Sequence, residues 1–223
     1  MNFLLVDNSN TRTKFALASE DALSDWHAVI ATEDISETSL KSTLRGIIWD
    51  GALVSSVVPA KANILSTFLS ELAPCHLLSH QSKLPIGIDY PKPEQIGADR
   101  LANATAAFTQ FGSSCVVLDF GTAVTFDVIS KENDEVLYKG GVIAPGLASM
   151  TEGLARRTAL LPHIELEEPD HAIGKSTEEA MLAGAVYGYR GLVREILCQI
   201  KKELPEPPTV VATGGDAGLI IRG

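Results

Sequence analysis

DNSNTRTKF at residues 7–15 and DFGTAVTFD at residues 119–127 decide how this chain is read. Each follows a short apolar run, FLLV at 3–6 and CVVL at 115–118, and each opens on an aspartate. Laid on one another they match Asp7 with Asp119, Ser9 with Gly121, Asn10 with Thr122 and Thr13 with Thr125, at an offset of 112 positions in a chain of 223 residues. A strand-turn-strand unit that recurs at half the chain length predicts a duplicated α/β fold, each half a mixed sheet flanked by helices, with a ligand cleft between the halves. The boundary is expected to separate residues 1–95 from residues 96–223.

Around these turns the apolar patterning supplies the remaining elements. In the first half, strands are expected at 3–6, 15–18, 26–31 and 47–54, with helices at 37–45 and 60–72. The segment KLPIGIDYPKPEQIG, residues 83–97, holds three prolines and two glycines and reads as a crossing loop. Leu101, Ala104, Phe108 and Phe111 then recur at helical spacing, which puts Asp99 in the first turn of a helix. Strands follow at 115–118, 126–129 and 136–143. The longest helical pattern starts near Ser176 and Glu179, at capping-box spacing, with Leu182, Ala185, Tyr189, Leu192, Ile196 and Ile200 as its apolar stripe. TVVATGGDAGLIIRG at 209–223 reads as a strand, a double-glycine turn and the start of a helix.

Composition narrows the partners. With 28 acidic and 18 basic residues the chain carries a net charge of -10, which repels nucleic acid backbones and anionic lipid. Neither nucleic acid nor membrane is an expected partner. No apolar run is long enough to span a bilayer and no basic leader precedes residues 3–6, so a cytoplasmic protein is expected. Cys75, Cys115 and Cys198 lack metal-ligand spacing and are expected to be buried thiols.

An acidic overall charge still permits a bound anion, because tight turns can aim successive N–H groups at one point while an aspartate holds a cation. Asp7, Asn10, Thr11 and Lys14 supply one such turn, and Asp119, Gly121, Thr122 and Thr125 a second. Either turn alone reads as an ordinary Asx turn. Two matched turns favour a clamp on a triphosphate.

Six segments in order, DNSNTRTKFAL, YPKPEQIGADR, DFGTAVTFDV, GGVIAPGLASM, AIGKSTEEAMLAGAVYG and VVATGGDA, make the chain resemble the type III pantothenate kinases of the acetate and sugar kinase/Hsp70/actin superfamily. The resemblance implies duplicated actin-like, ribonuclease H-like halves and transfer of the ATP γ-phosphoryl group to pantothenate, the first step of coenzyme A synthesis. It also implies Mg2+, a monovalent cation such as K+ or NH4+, and a homodimer. By the same resemblance Asp99 is the general base, a role that a helix N-terminus favours by stabilising the carboxylate. Tyr90, Gly97, Ala98, Arg100 and Thr177 contact pantothenate, and Asp119 contacts the monovalent cation. The first phosphate turn, Asp7, Asn8, Ser9, Asn10, Thr11, Arg12, Thr13 and Lys14, contacts ATP together with Thr122. Gly140, Gly141, Pro145 and Gly146 shape the floor of the cleft, and Gly214 and Gly215 let adenine approach the backbone.

Two departures bear on ATP. Ser9 stands where the family has glycine; a positive φ there would cost on the order of 1 kcal/mol and weaken nucleotide binding. The sequence also ends at Gly223, soon after TGGDA, where the family continues through another helix, so either adenine packing is incomplete or the sequence stops short of the natural terminus. Two other functions stay open: a non-catalytic homologue that binds nucleotide or pantothenate as a regulator, and a kinase for another small hydroxylated acid or sugar. An ATP-turnover assay with pantothenate and a panel of sugars and acids separates them.

Overall fold

The computed structural model describes residues 1–222; Gly223, the last position of the expected second half, lies outside the described residues. In chain order the backbone forms β1 (Phe3–Asn8), β2 (Arg12–Ala18), β3 (Leu23–Ala31), α1 (Glu37–Thr43), β4 (Gly51–Ser56), α2 (Pro59–Ser70), β5 (Cys75–Leu77) and β6 (Gly87–Ile88). It continues through α3 (Ala98–Phe111), β7 (Cys115–Phe120), β8 (Ala123–Glu132), β9 (Glu135–Pro145), α4 (Leu147–Arg157), α5 (Thr177–Glu203), β10 (Thr209–Gly214) and α6 (Ala217–Ile220). Two compact units result: Met1–Leu84 with Pro91–Asn103, and Pro85–Tyr90 with the chain from Ala104 onward. The helix α3 begins in the first unit and ends in the second.

In the first unit the sheet runs β3-β2-β1-β4-β5, with β1 antiparallel to β2 and parallel to β4. Alternate residues Leu4 and Val6 of β1, and Ala52 and Val54 of β4, point into one core with Phe15. Leu40 and Leu44 from α1, and Leu65, Phe68 and Leu69 from α2, close that core from the helical side. The local signals agree with these ends: Ser36 caps α1 in a reciprocal box with Ser39, and Pro59 opens α2. The strand expected from 47 begins only at Gly51; Ile48, 80% exposed, lies outside it.

The second unit repeats the kernel. Its sheet runs β10-β7-β8-β9-β6, and β9-β8-β7-β10 has the pairing senses of β3-β2-β1-β4, two antiparallel steps and one parallel. β7 stands 112 positions after β1 at both ends. The fifth strands differ: β5 lies beside β4, whereas β6 pairs with β9. The core joins Val116, Leu118, Phe120, Val124, Phe126 and Val128 of the sheet to Tyr189, Val193 and Ile200 of α5. Of the three free thiols, Cys115 is buried as expected; Cys75 is half-buried and Cys198 is exposed on α5.

Strand register corrects the match between the two turns. Asp7 faces Lys14 and Asn8 faces Thr13, whereas Asp119 faces Thr125 and Phe120 faces Val124. The second hairpin therefore closes with one residue fewer, and the counterpart of Thr125 is Lys14, not Thr13.

β10 ends at Gly214 with φ of 95°, and a side-chain carbon there would stand 2.6 Å from the Phe120 carbonyl carbon. Glycine is thus required twice over, by dihedral and by approach of the neighbouring strand. Gly214→Ala is expected to cost about 2–4 kcal/mol, read as a lower urea midpoint at unchanged slope; an unchanged midpoint would show that β10 can shift away from β7.

Candidate active site

β1 and β2 run further than their apolar cores suggest, so Asp7 and Asn8 belong to β1, and Arg12, Thr13 and Lys14 to β2. Only Ser9, Asn10 and Thr11 lie outside the strands, with the Ser9 N–H donating to the Arg12 carbonyl at 3.1 Å. Asn10, Thr11, Arg12 and Lys14 are exposed, while Asp7 and Ser9 are half-buried. The Asp7 carboxylate accepts from Lys14 Nζ at 3.2 Å and from Ser9 Oγ at 3.1 Å. At 61% and 42% side-chain exposure the Lys14–Asp7 pair adds little stability, but it fixes where both groups point.

Asn8 and Thr13 stand apart from this exposed set. They are 1% and 0% exposed. Asn8 Nδ2 donates to Thr13 Oγ1 at 2.7 Å, Ser56 Oγ donates to Asn8 Oδ1 at 2.6 Å, and Thr32 Oγ1 shares a 3.0 Å bond with Thr13 Oγ1 while donating to the Ser9 carbonyl at 2.7 Å. Their side chains form the footing of the turn. The strain expected at Ser9 is absent: among the described residues Asn133 is the non-glycine residue with positive φ, at 55°. Gly121 also lacks a positive φ, so neither hairpin demands glycine on dihedral grounds.

Gly97, Ala98, Asp99 and Arg100 form the entry to α3, in the same unit as the first turn. Asp99 Oδ1 accepts the Arg100 N–H at 2.8 Å. The carboxylate folds back over Gly97 so closely that any side chain there would collide with Oδ1. Val57 joins this block to the first turn: its N–H donates to the Asn8 carbonyl at 3.1 Å, and its Cγ1 lies 3.5 Å from where a Gly97 side-chain carbon would stand. Ala98 is buried, while Asp99 and Arg100 are half-buried.

In the second unit Asp119 is half-buried at the end of β7, and Gly121 and Thr122 form an exposed tip. The Gly146 N–H and Ser149 Oγ both donate to the Thr122 carbonyl, at 3.0 and 2.9 Å. The first turn of α4 thereby holds the tip. The sequence reading missed α4, although Leu147, Thr151 and Leu154 carry its helical spacing. Tyr189 OH donates to the Pro145 carbonyl at 3.2 Å; burial, and then the charge of Asp216, push its pKa up to about 12, so it remains a donor. Burial also raises the pKa of Asp216, in the TGGDA turn. Arg190, 5% exposed, makes two bonds to the Glu168 carboxylate and donates to the Leu219 and Ile220 carbonyls, tying α6 to α5.

Tyr90 is half-buried, with its ring centroid 6.4 Å from that of Tyr138. Thr177 is exposed at the first position of α5, and the cap is Ser176, whose Oγ accepts the Glu179 N–H at 3.1 Å. The Glu179 carboxylate reaches one residue beyond the expected box, to the Lys175 N–H at 2.6 Å.

Comparison with known proteins gives this geometry a family. The family model "Type III pantothenate kinase" matches residues 3–199. A type III pantothenate kinase of Akkermansia muciniphila is 56% identical over 223 residues, covering all of this chain and 90% of the relative. Another, of Methylacidiphilum infernorum, is 41% identical over 97% of this chain and 79% of its own length. Among solved structures, the Lmo2764 protein of Listeria monocytogenes aligns over 98% of this chain and 84% of its own with a TM-score of 0.57 at 13% identity. The ethanolamine utilization protein EutJ of Carboxydothermus hydrogenoformans gives 0.55 at 14% identity, over 98% and 78%. These two likenesses bear on fold alone, and they agree with the duplicated, actin-like fold that the motif resemblance implies. By family model and by full-length relatives, the chain belongs to the type III pantothenate kinases.

Proposed function

We propose that this chain phosphorylates pantothenate to 4'-phosphopantothenate, with Asp99 as general base. The observation that carries the residue assignment is the Asp99 carboxylate, oriented by the Arg100 N–H over Gly97 and linked through Val57 to the first turn. In the reaction the pantothenate primary hydroxyl oxygen bonds to the γ-phosphorus as the bond to the β,γ-bridging oxygen breaks. The hydroxyl proton passes to Asp99 and ADP leaves. Arg100 suits the pantothenate carboxylate, with Tyr90, Gly97, Ala98 and Thr177 as further substrate contacts. Asn10, Thr11, Arg12, Lys14 and Thr122, all exposed, contact the phosphates, while Asn8 and Thr13 support them from below.

No cluster of three or more His, Cys, Asp or Glu side chains fit to hold a metal occurs among the described residues. Mg2+ would be carried on the triphosphate, where it would neutralise charge on the transferred group. Asp119 is the proposed contact for K+ or NH4+. No helix among the described residues is long and apolar enough to cross a membrane, and a cytoplasmic location suits a kinase of soluble metabolites.

Pantothenate-dependent ADP release is expected with Mg2+, faster in K+ or NH4+ than in Na+ at matched ionic strength; equal rates in the three salts would remove the cation role from Asp119. Asp99→Asn should lower turnover by roughly 10^2 to 10^4 with the fold intact, and turnover within about threefold of the parent would sink the base assignment.

Ser9→Gly relieves no strain and deletes the 3.1 Å bond to Asp7. Its expected outcome is a loss of about 0.5–1 kcal/mol of stability with ATP affinity within twofold of the parent. Markedly tighter ATP binding, by calorimetry, would mean that the serine side chain crowds the phosphate.

We further propose a homodimer built on α5. Gly184 and Gly188 are exposed, Gly191 is half-buried, and a side-chain carbon at any of the three would meet nothing within 4 Å. That face lets another backbone come close. Light scattering should report a dimer, and mixing Asp99→Asn with Thr177→Val chains should restore part of the activity if Thr177 completes the partner's site. A monomer in solution, or no recovery on mixing, would confine Thr177 to its own chain.

A further inference from the structure

We propose that Asp127 and Tyr138 are positioning residues for Tyr90, fixing its ring in the pose that receives pantothenate; this rests on the reading of Tyr90 as a substrate contact. Asp127 lies within β8, and Tyr138 within β9, and both are 0% exposed. The partners of the Asp127 carboxylate include Tyr138 OH, which donates at 2.8 Å, and Thr125 Oγ1, which donates at 3.1 Å. Burying a carboxylate and a phenol hydroxyl together removes two polar groups from water. If filling space were their whole task, an apolar residue facing phenylalanine would do it without that desolvation. What the pair adds is direction: the hydrogen bond fixes the tilt of the Tyr138 ring.

Tyr138 in turn meets Tyr90 in two ways. Its carbonyl accepts the Asp89 N–H at 3.0 Å, which anchors the backbone one residue before Tyr90. Its ring lies 6.4 Å from the Tyr90 ring at an interplanar angle of 58°, a tilted aromatic pair whose geometry depends on both rings. Gly140 supplies the third restraint. The β8–β9 register slips between Val128 and Ile129, and opposite that slip Gly140 takes φ of 101°. A side-chain carbon at Gly140 would stand 3.1 Å from Tyr90 Cε2, so the glycine is the floor on which the ring rests. Tyr90 itself remains half-buried, so part of its surface stays accessible. A buried acid thus reaches a substrate-contact ring through one intermediate side chain, in the manner of the outer groups that orient binding residues elsewhere.

The test compares Tyr138→Phe, Asp127→Asn, Tyr90→Ala and the double change Tyr138→Phe with Tyr90→Ala. Each is measured for the KM of pantothenate, the KM of ATP, kcat and thermal midpoint. Tyr138→Phe keeps the ring and removes only the hydroxyl, so it serves where Asp127→Asn fails to fold. The expected result is a rise in pantothenate KM of roughly 3- to 10-fold in both single variants, the range that the net worth of one hydrogen bond corresponds to, with the KM of ATP within twofold. On the Tyr90→Ala background Tyr138→Phe should add nothing further, since the ring it positions is gone. Equal rises in both KM values, an additive double change, or an unchanged pantothenate KM in Tyr138→Phe would overturn the proposal while leaving Tyr90 as a substrate contact. If Tyr90→Ala alone leaves the pantothenate KM unchanged, the Tyr90 reading fails first and takes this inference with it.

Discussion

Beneath the first turn a side-chain hydrogen-bond cluster holds the hairpin from inside: Asn8 bridges Thr13 and Ser56, and Thr13 meets Thr32, which reaches the Ser9 carbonyl. With Asn8, Thr13 and Thr32 all under 4% exposed, every one of these bonds matters. A broken one leaves a buried polar atom unpaired, at a cost of about 1–3 kcal/mol, more than its net contribution when made. The cluster draws on β1, β2, β4 and the residue that follows β3. The shape of a short exposed turn is therefore set by buried side chains of the strands beneath it. Val57, the residue after β4, extends this footing to the Asp99 block, so the proposed base and the proposed phosphate turn share one foundation.

The second hairpin reaches a comparable turn by other means. Where β1 ends on Asn8 facing Thr13, β7 ends on Phe120 facing Val124, and both of these belong to the apolar core under α5. One footing is directional and the other is a matter of packing. The segment after the third strand braces both tips: the Thr32 N–H donates to the Thr11 carbonyl at 3.0 Å, as the Gly146 N–H and Ser149 Oγ donate to the Thr122 carbonyl. The shorter loop and the apolar footing are where the duplicated halves diverge.

This divergence also explains what the sequence could and could not reveal. The strand kernel was legible because alternation and apolar runs reflect burial, and β1 and β7 stand 112 positions apart as the repeat requires. The one-residue difference in register was not, because matching Thr13 with Thr125 compares letters, and which residues face each other depends on where each loop closes. Asn8 and Thr13 look in sequence like any polar turn residues that could touch a phosphate. Only burial separates a residue that meets the ligand from one that supports it. Ser9 shows the reverse error: a departure from a glycine consensus suggests strain, but the backbone there needs no positive φ. α4 carries a weak signal in the sequence, because polar Thr151 interrupts the helical spacing of Leu147 and Leu154 and the glycine-rich GGVIAPG precedes it.

The long helix α5 shows how one element serves two purposes on opposite faces. Its inner face is dense: Tyr189, Val193 and Ile200 pack under the sheet, Tyr189 holds Pro145, and Arg190 ties down the carbonyls of α6 while paired with Glu168. Burial of Arg190 makes that pairing obligatory, since an unpartnered guanidinium at 5% exposure would be strongly destabilising. The outer face instead carries three glycines, each costing about 1 kcal/mol relative to alanine in a helix interior. A single domain is stable by only about 5–15 kcal/mol, so a loss near 3 kcal/mol is a large fraction of the whole. Among the described residues nothing packs on these three positions, where a side-chain carbon would meet no atom within 4 Å. The proposed homodimer would supply packing there. Close approach by a second copy of α5 at a stripe without side chains accounts for those glycines physically, and it would bring Thr177, at the start of the same helix, to the partner.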